Sequence, residues 1–246
     1  MLRHSLVRDG HWLFRHRSVL PVLFVPAIAA VMLTDFANLS GSADAQFLWT
    51  LGCFAVSLLG VAVRMAVVGV TPANTSGRNT RSQKADQLNT AGAYSVCRNP
   101  LYVGNYLIWL GIVAVPHHAW LIATFTLTFW LYYERIIAAE EDYLEDKFGD
   151  AYRRFAASTP CVLPRLTGWA AAPLKFSPRN CLRREYTAIL GICGGFALMN
   201  IGSHSVIDHQ LMVDPFWVVV AAAGLIQFFV LRTLKKQTAM LFVPGR

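Results

Sequence analysis

Apolar residues run in long blocks along this chain, and polar residues gather in short turns between some blocks and in two long segments between others. Blocks at 19–37, 46–71, 186–206 and 213–232 each have the length of a membrane-crossing helix, which needs roughly 20 mostly apolar residues for about 30 Å of hydrocarbon. A further block, 101–133, is long enough to cross twice and is interrupted by Pro116-His117-His118, which predicts a helical hairpin. The pattern predicts an all-α, polytopic integral membrane bundle of about six spans. The chain reads as a single membrane domain, 1–246, with a polar core region at 72–165 and two further spans at 186–232.

The two long polar segments, 72–100 and 134–185, are where function is expected, because the remaining connections are short. From Tyr132 to Phe155 the run YYERIIAAEEDYLEDKFGDAYRRF predicts one helix leaving the membrane. Steps of about 100° from Ile137 place Leu144, Phe148, Ala151, Tyr152 and Phe155 on one stripe, with Glu140 and Glu141 on the same side. Pro160 and Pro164 then bracket a short extended stretch, and 166–185 reads as a basic surface loop. Gly191, Gly194 and Gly195 fall inside a span, where small residues predict close helix packing. No G-x-G-x-x-G follows a strand pattern, so no Rossmann cofactor domain is expected.

Composition agrees with the pattern: 55% of residues are hydrophobic and 15% charged, against about 25% charged in a soluble domain. The net charge of +8 would fit a nucleic-acid binder, but its distribution fits a membrane instead. With the N-terminus inside, 21 of the 22 basic residues fall in the inner tails and loops, and the outer connections 38–45, 116–118 and 207–212 hold none. Both termini are therefore expected inside, by the rule that Lys and Arg collect in cytoplasmic loops. The remaining basic residue, Arg64, lies in the inward half of the second span and is expected to snorkel to the interface. The predicted spans show no paired charges and no inverted repeat, which argues against a transporter. Val19 to Leu33 with Ala43-Asp44-Ala45 resembles a cleavable signal within 1–45, yet the long basic lead favours a retained span. Five cysteines form no C-x-x-C pair and the histidines no H-x-x-x-H box, so neither a disulfide nor a metal site is expected.

Two polar constellations carry candidate chemistry. Arg98-Asn99-Pro100 enters the third span, and a helix beginning at Pro100 would turn its first N–H groups towards the polar surface. That arrangement suits an anion, with Arg98 as a fork of donors; it also serves as an ordinary interfacial cap. Glu140-Glu141 on a buried helix face would be costly without a partner. A cationic or hydroxyl-rich ligand would serve, and so would Arg98 or Arg64 in a structural pairing.

The run Gly92-Ala93-Tyr94-Ser95-Val96-Cys97-Arg98-Asn99-Pro100-Leu101-Tyr102-Val103-Gly104 resembles the R-(H/N)-P-x-Y-x-G motif of the isoprenylcysteine carboxyl methyltransferase and phospholipid methyltransferase superfamily. Glu140-Glu141, Phe148-Gly149, Tyr152 and the stretch Pro160 to Pro164 resemble that family's E-E-x(6)-F-G-x-x-Y ending, and the likeness covers roughly residues 60–166. Asn99 stands where many members have His. The resemblance implies an integral membrane methyltransferase that uses S-adenosyl-L-methionine at the cytoplasmic surface. It implies cofactor contacts from Asp86, Gln87, Leu88, Asn89, Tyr94, Asn99, Pro100, Leu101, Tyr102 and Glu141. It further implies catalytic positions at Arg98, Arg135 and Glu140, although Arg135 falls on the face opposite the glutamates of a straight helix.

Methyl transfer from a sulfonium needs alignment and exclusion of water, and an ionised phosphate or carboxylate acceptor needs no general base. The expected partner is therefore a lipid or prenylated small molecule, with an anionic lipid phosphate or isoprenyl-type carboxylate favoured over an amine. The basic stretch Lys175 to Arg184 is a candidate hold for anionic headgroups, or simply part of the inward charge bias. A sterol-reductase-like oxidoreductase using NADPH and a non-enzymatic membrane scaffold are the alternatives.

Overall fold

A computed structural model describes residues 2–17, 20–34, 43–75, 85–207 and 211–246. The described residues form α1 (Leu2–Arg15), α2 (Leu20–Thr34), α3 (Ala43–Val68), a 3-10 turn (Gly92–Ser95), α4 (Pro100–Ala114), α5 (Ala119–Phe148), α6 (Asp150–Ser158), α7 (Pro178–Ile207) and α8 (Pro215–Gln237), with no strand among them. The predicted all-α class holds.

Three helices are long and apolar enough to cross a membrane: Asp44–Val68, Pro178–Ser205 and Pro215–Gln237, with 25, 28 and 23 residues. Val22–Leu33 and Pro100–Ala114 are apolar but shorter. At 1.5 Å per residue, the 15 residues of α4 reach about 22 Å, short of a full crossing. The ends of the predicted 19–37 span, most of the first outer connection and the basic stretch with Arg78, Arg81 and Lys84 lie outside the described residues.

Pro100 does begin α4 at its first turn, and the interruption at 116–118 is a tight turn in which His117 takes φ 62°. Helix α3 lies along α4, α7 along α8, and α1 along α5. Backbones meet closely at Gly60 and Gly104, where a Cβ on Gly60 would stand 2.6 Å from the Gly104 carbonyl oxygen. Around the α4–α5 hairpin Phe125, Phe129 and Tyr133 are buried together, with the Phe129 and Tyr133 rings stacked at 4.2 Å.

Several expectations are corrected. The helix predicted from Tyr132 to Phe155 is divided: α5 runs unbroken from the membrane turn to Phe148 and stops at Gly149. That glycine has φ 53° and ψ −126°, a backbone region that disfavours any side chain. The basic loop expected over 166–185 turns helical at Pro178, so Arg179, Arg183 and Arg184 lie on α7. Gly191 and Gly194 do not mediate close packing, since a Cβ on either would meet nothing within 4 Å. The close α7–α8 approach is at Gly224, where a Cβ would stand 2.6 Å from that of Cys193. Arg64 does not snorkel. It donates to both carboxylate oxygens of the fully buried Glu185 on α7, at 2.8 and 2.9 Å, and to Asn105 on α4. A paired charge thus joins helices whose predicted spans showed none, because Glu185 sits about two turns inside a helix that begins earlier than the apolar block.

Candidate functional site

The polar segments meet at one end of α4 and α5. Gly92 takes φ 62° and opens the 3-10 turn, which is fastened to the chain ahead of α7 by Gly92 N–H to the Ala170 carbonyl at 2.8 Å. Residues 96–99 then run beside 160–165. Arg98 N–H donates to the Pro160 carbonyl, Asn99 N–H to Cys161 and Arg165 N–H to Val96. The extended stretch predicted between the prolines is therefore the strip on which the Arg98-Asn99-Pro100 motif is laid. Arg165 secures it, donating to the Ser158 and Ser95 carbonyls at 2.7 and 2.9 Å.

Arg98 is enclosed by its partners. Its Nε and Nη2 reach one oxygen of Glu141 at 2.9 and 2.8 Å. Its Nη1 donates to the Ala156 and Thr159 carbonyls, both at 2.7 Å, at the end of α6. The structural pairing foreseen for the glutamate pair therefore exists for Glu141 and Arg98, whereas Arg64 is engaged with Glu185. The Tyr152 hydroxyl also binds Glu141, and burial followed by the Glu141 charge pushes that phenol well above its ordinary value. Gly149 makes this possible, since its turn brings Tyr152 of α6 back against the α5 carboxylate.

Glu140 lies one helical step, about 100°, away and has different neighbours. The Tyr102 hydroxyl donates to it, Arg17 stands 3.9 Å away, and about a quarter of the side chain remains accessible. Burial raises its carboxyl above the usual range; Tyr102 and then Arg17 oppose that rise, and the Glu141 charge adds to it. Tyr94 is close enough that burial and then the Glu140 charge push its hydroxyl well up. Tyr94, Tyr102 and Glu140 thus converge from the 3-10 turn, α4 and α5.

Asn99 does not cap α4 with its side chain; its amide donates to the Cys161 carbonyl at 3.1 Å instead. The Tyr102 and Val103 N–H groups return to the Asn99 carbonyl, so the Leu101 N–H stands at the positive end of the helix. Asp86 and Gln87 are exposed, and Leu88 and Asn89 half-buried. This stretch rests on the turn after α3, through Asp86 N–H to the Asn74 carbonyl and the Asn89 amide to the Thr75 carbonyl. Arg135 turns back on its own helix and donates to the Leu131 carbonyl. Its backbone lies under α1, where Gly10 leaves no room for a Cβ. The structure therefore gathers Tyr94, Arg98, Asn99, Pro100, Tyr102, Glu140 and Glu141, and leaves Arg135 apart from them.

Three participants were missed in the sequence. Arg17 looked like one basic residue among several in a tail, and nothing local announces that α1 packs on α5. Cys161 and Thr159 take part through backbone carbonyls, which any residue type supplies. A cleft of about 400 Å³ opens on the Glu141 side, lined by Glu145, Tyr152, Arg153 and Ala156 among others. Among the described residues no group of three or more His, Cys, Asp or Glu side chains is placed to hold a metal ion.

Comparison with known proteins places this geometry in a family. The phospholipid methyltransferase family model matches residues 46–151. The cobalt-zinc-cadmium resistance protein CzcN of Cupriavidus metallidurans is 32% identical over 157 residues, 64% of this chain and 68% of that protein. The nickel-cobalt-cadmium resistance protein NccN of Alcaligenes xylosoxydans xylosoxydans is 29% identical, over 63% of this chain and 68% of its own length. The protein-S-isoprenylcysteine O-methyltransferase of Schizosaccharomyces pombe is 31% identical over 85 residues, 35% of this chain and 36% of that enzyme. No solved structure matches the chain.

Proposed function

Because the chain belongs to the isoprenylcysteine carboxyl methyltransferase and phospholipid methyltransferase superfamily of integral membrane methyltransferases, we propose that it methylates an oxygen of a lipophilic acceptor at the cytoplasmic membrane surface, with S-adenosyl-L-methionine as donor. The observation that carries this reading is the convergence of Tyr94, Tyr102 and Glu140 beside the uncapped start of α4.

The chain's own residues fit the cofactor. The accessible edge of Glu140 can accept from ribose hydroxyls or an amino group, the half-buried Tyr94 offers an aromatic face, Tyr102 is buried against Tyr133 and backs Glu140, and the Leu101 N–H at the helix start suits a carboxylate. Asp86, Gln87, Leu88 and Asn89, on the turn after α3, complete the cofactor side. When bound, S-adenosylmethionine supplies an electrophilic methyl group on a sulfonium, which an ionised phosphate or carboxylate oxygen can take by direct displacement. Arg98 is a positioning residue in this reading: with Glu141 it ties the start of α4 to α5 and α6 and so fixes the angle between the aromatic pair and Glu140. Alignment of this kind, with water excluded, is the main contribution such a site makes. The acceptor is an anionic lipid phosphate or an isoprenyl-type carboxylate, the bundle has six membrane segments with α4 and α5 as a short hairpin in the middle, and both termini face the cytoplasm.

The test is transfer of labelled methyl from S-adenosylmethionine into lipid extracts of membranes carrying the protein. Label in the organic phase that falls to background in Glu140→Gln and Glu141→Gln variants is expected. Release as methanol in mild alkali would identify a carboxyl ester, and retention a phosphate acceptor. Absence of both label and cofactor binding in the wild-type protein would overturn the reading and return the reductase and scaffold alternatives.

A further inference from the structure

At the end of α8 the chain folds back, and the segment 238–246 packs against the first turns of α7. Its Leu241 is buried with Tyr186 and Leu231, and Arg246 donates to the Gly69 and Lys175 carbonyls. The fold-back borders an open groove of about 500 Å³ lined by Arg183, Lys235, Lys236, Thr238, Leu241 and Phe242, among others. No Asp or Glu lines it, and Arg183 also donates to the Arg246 main-chain oxygen at 3.5 Å. The single acidic residue of α7, Glu185, is buried on Arg64, and that of α8's flank, Asp214, caps the opposite end of a 23-residue helix, about 34 Å away.

Lysines at a helix C-terminus complement its dipole wherever they occur, so charge alone would not make a site. Here the charges border a concavity and two are held in place. The Arg183 guanidinium lies 5.8 Å from the Phe242 ring centre, and the Lys235 ammonium lies 5.0 Å from that of Tyr186 while donating to the Arg183 carbonyl. A second observation concerns what leads to the groove. Leu225, Ile226, Phe229 and Val230 are all exposed on α8. Helical spacing continues that face through Thr233 to Lys236 and Gln237 at the groove. Met240 and Phe242, both exposed, stand at its rim. An apolar track ending in a basic groove at the same end of a membrane helix matches a molecule with an acyl chain and a phosphate.

We propose that this groove binds the phosphate headgroup of an anionic phospholipid whose acyl chain lies along the exposed face of α8. Basic pockets between membrane helices hold such headgroups. The site lies outside residues 46–151, the part matched by the family model, and does not depend on the methyl-transfer reading.

The full-length protein is reconstituted in nanodiscs of phosphatidylcholine with increasing phosphatidylglycerol, and Tm is followed. The wild-type Tm should rise with phosphatidylglycerol, as for any ligand that binds the folded state. A Lys235→Gln, Lys236→Gln double variant should lose at least half of that rise, measured from its own Tm in pure phosphatidylcholine. A control with the same charge loss, Lys147→Gln with Arg154→Gln, should keep it. Equal loss in the control would reduce the effect to overall charge and overturn the proposal. The same rise with inorganic phosphate or glycerol 3-phosphate in phosphatidylcholine discs would make this a soluble phosphate site, and no response to phosphatidylglycerol would remove the site altogether.

Discussion

Glu140 and Glu141 are adjacent in sequence, yet one faces Tyr102 and Arg17 and the other Arg98 and Tyr152. The folded protein holds the Glu140 carboxyl above its ordinary value, mainly through burial. Such a group contributes stability fully at pH below its unfolded value and loses it as pH rises through the raised folded value. Glu140→Gln keeps an acceptor for Tyr102 and cannot ionise. It should therefore raise Tm at pH 7.5 and give a gain that dwindles as the pH falls towards 4. A gain that is constant across pH would mean that the Glu140 charge is not penalised in the fold. At this scale the sequence was legible in kind: the Arg98 motif and the glutamate pair were visible as chemistry. The division of labour between the two glutamates was not, because it depends on α1 and α6 arriving from opposite sides of α5.

Helix starts were legible where proline or an apolar block marked them, as at Pro100 and at the block from 213, within two residues of the start of α8, and helix partners were not. The glycines illustrate why. Gly191 and Gly194 carry the local signature of close packing, yet they face open space, while Gly10, Gly60, Gly104, Gly111 and Gly224 are among the crowded positions. A glycine's role is set by the helix opposite, which local sequence does not specify. Gly104→Ala should cost about 1–3 kcal/mol, because the added methyl meets the Gly60 carbonyl oxygen of α3 at 2.8 Å and the Arg64 side chain at 2.6 Å, which Glu185 and Asn105 hold in place. Gly191→Ala, in the interior of α7 with no neighbour in reach, should be neutral or stabilising by about 0.5–1 kcal/mol. Denaturation midpoints of the two variants in the same detergent check both; equal losses would contradict the α3–α4 packing.

For the molecule as a whole, the proposed orientation puts the α5–α6 elbow and the end of α8 on one side of the membrane and the α7–α8 turn on the other. Single cysteines replacing Arg154 and Lys236 should then react with an impermeant thiol reagent from the same face of sealed vesicles, and one replacing Leu211 from the other. Labelling of Leu211→Cys together with Lys236→Cys would refute that topology. The proposed orientation rests on the charge distribution of the sequence, whereas the ion pair of Arg64 with Glu185 was hidden by a separation of 121 positions.

That separation also has a meaning in time. A ribosome adds about 5–20 residues per second, so α3 is made roughly 6–24 s before its carboxylate partner on α7 exists. A lone arginine at the centre of a membrane helix costs about 2.5–3.5 kcal/mol to insert, and less near a helix end such as Arg64 occupies. Once α4 is made, Asn105 can accept from Arg64, but no carboxylate answers its charge until α7 arrives. Chains halted between α3 and α7 would present an unanswered charge at the membrane, which gives cellular quality control a signature by which an unfinished copy differs from a complete one.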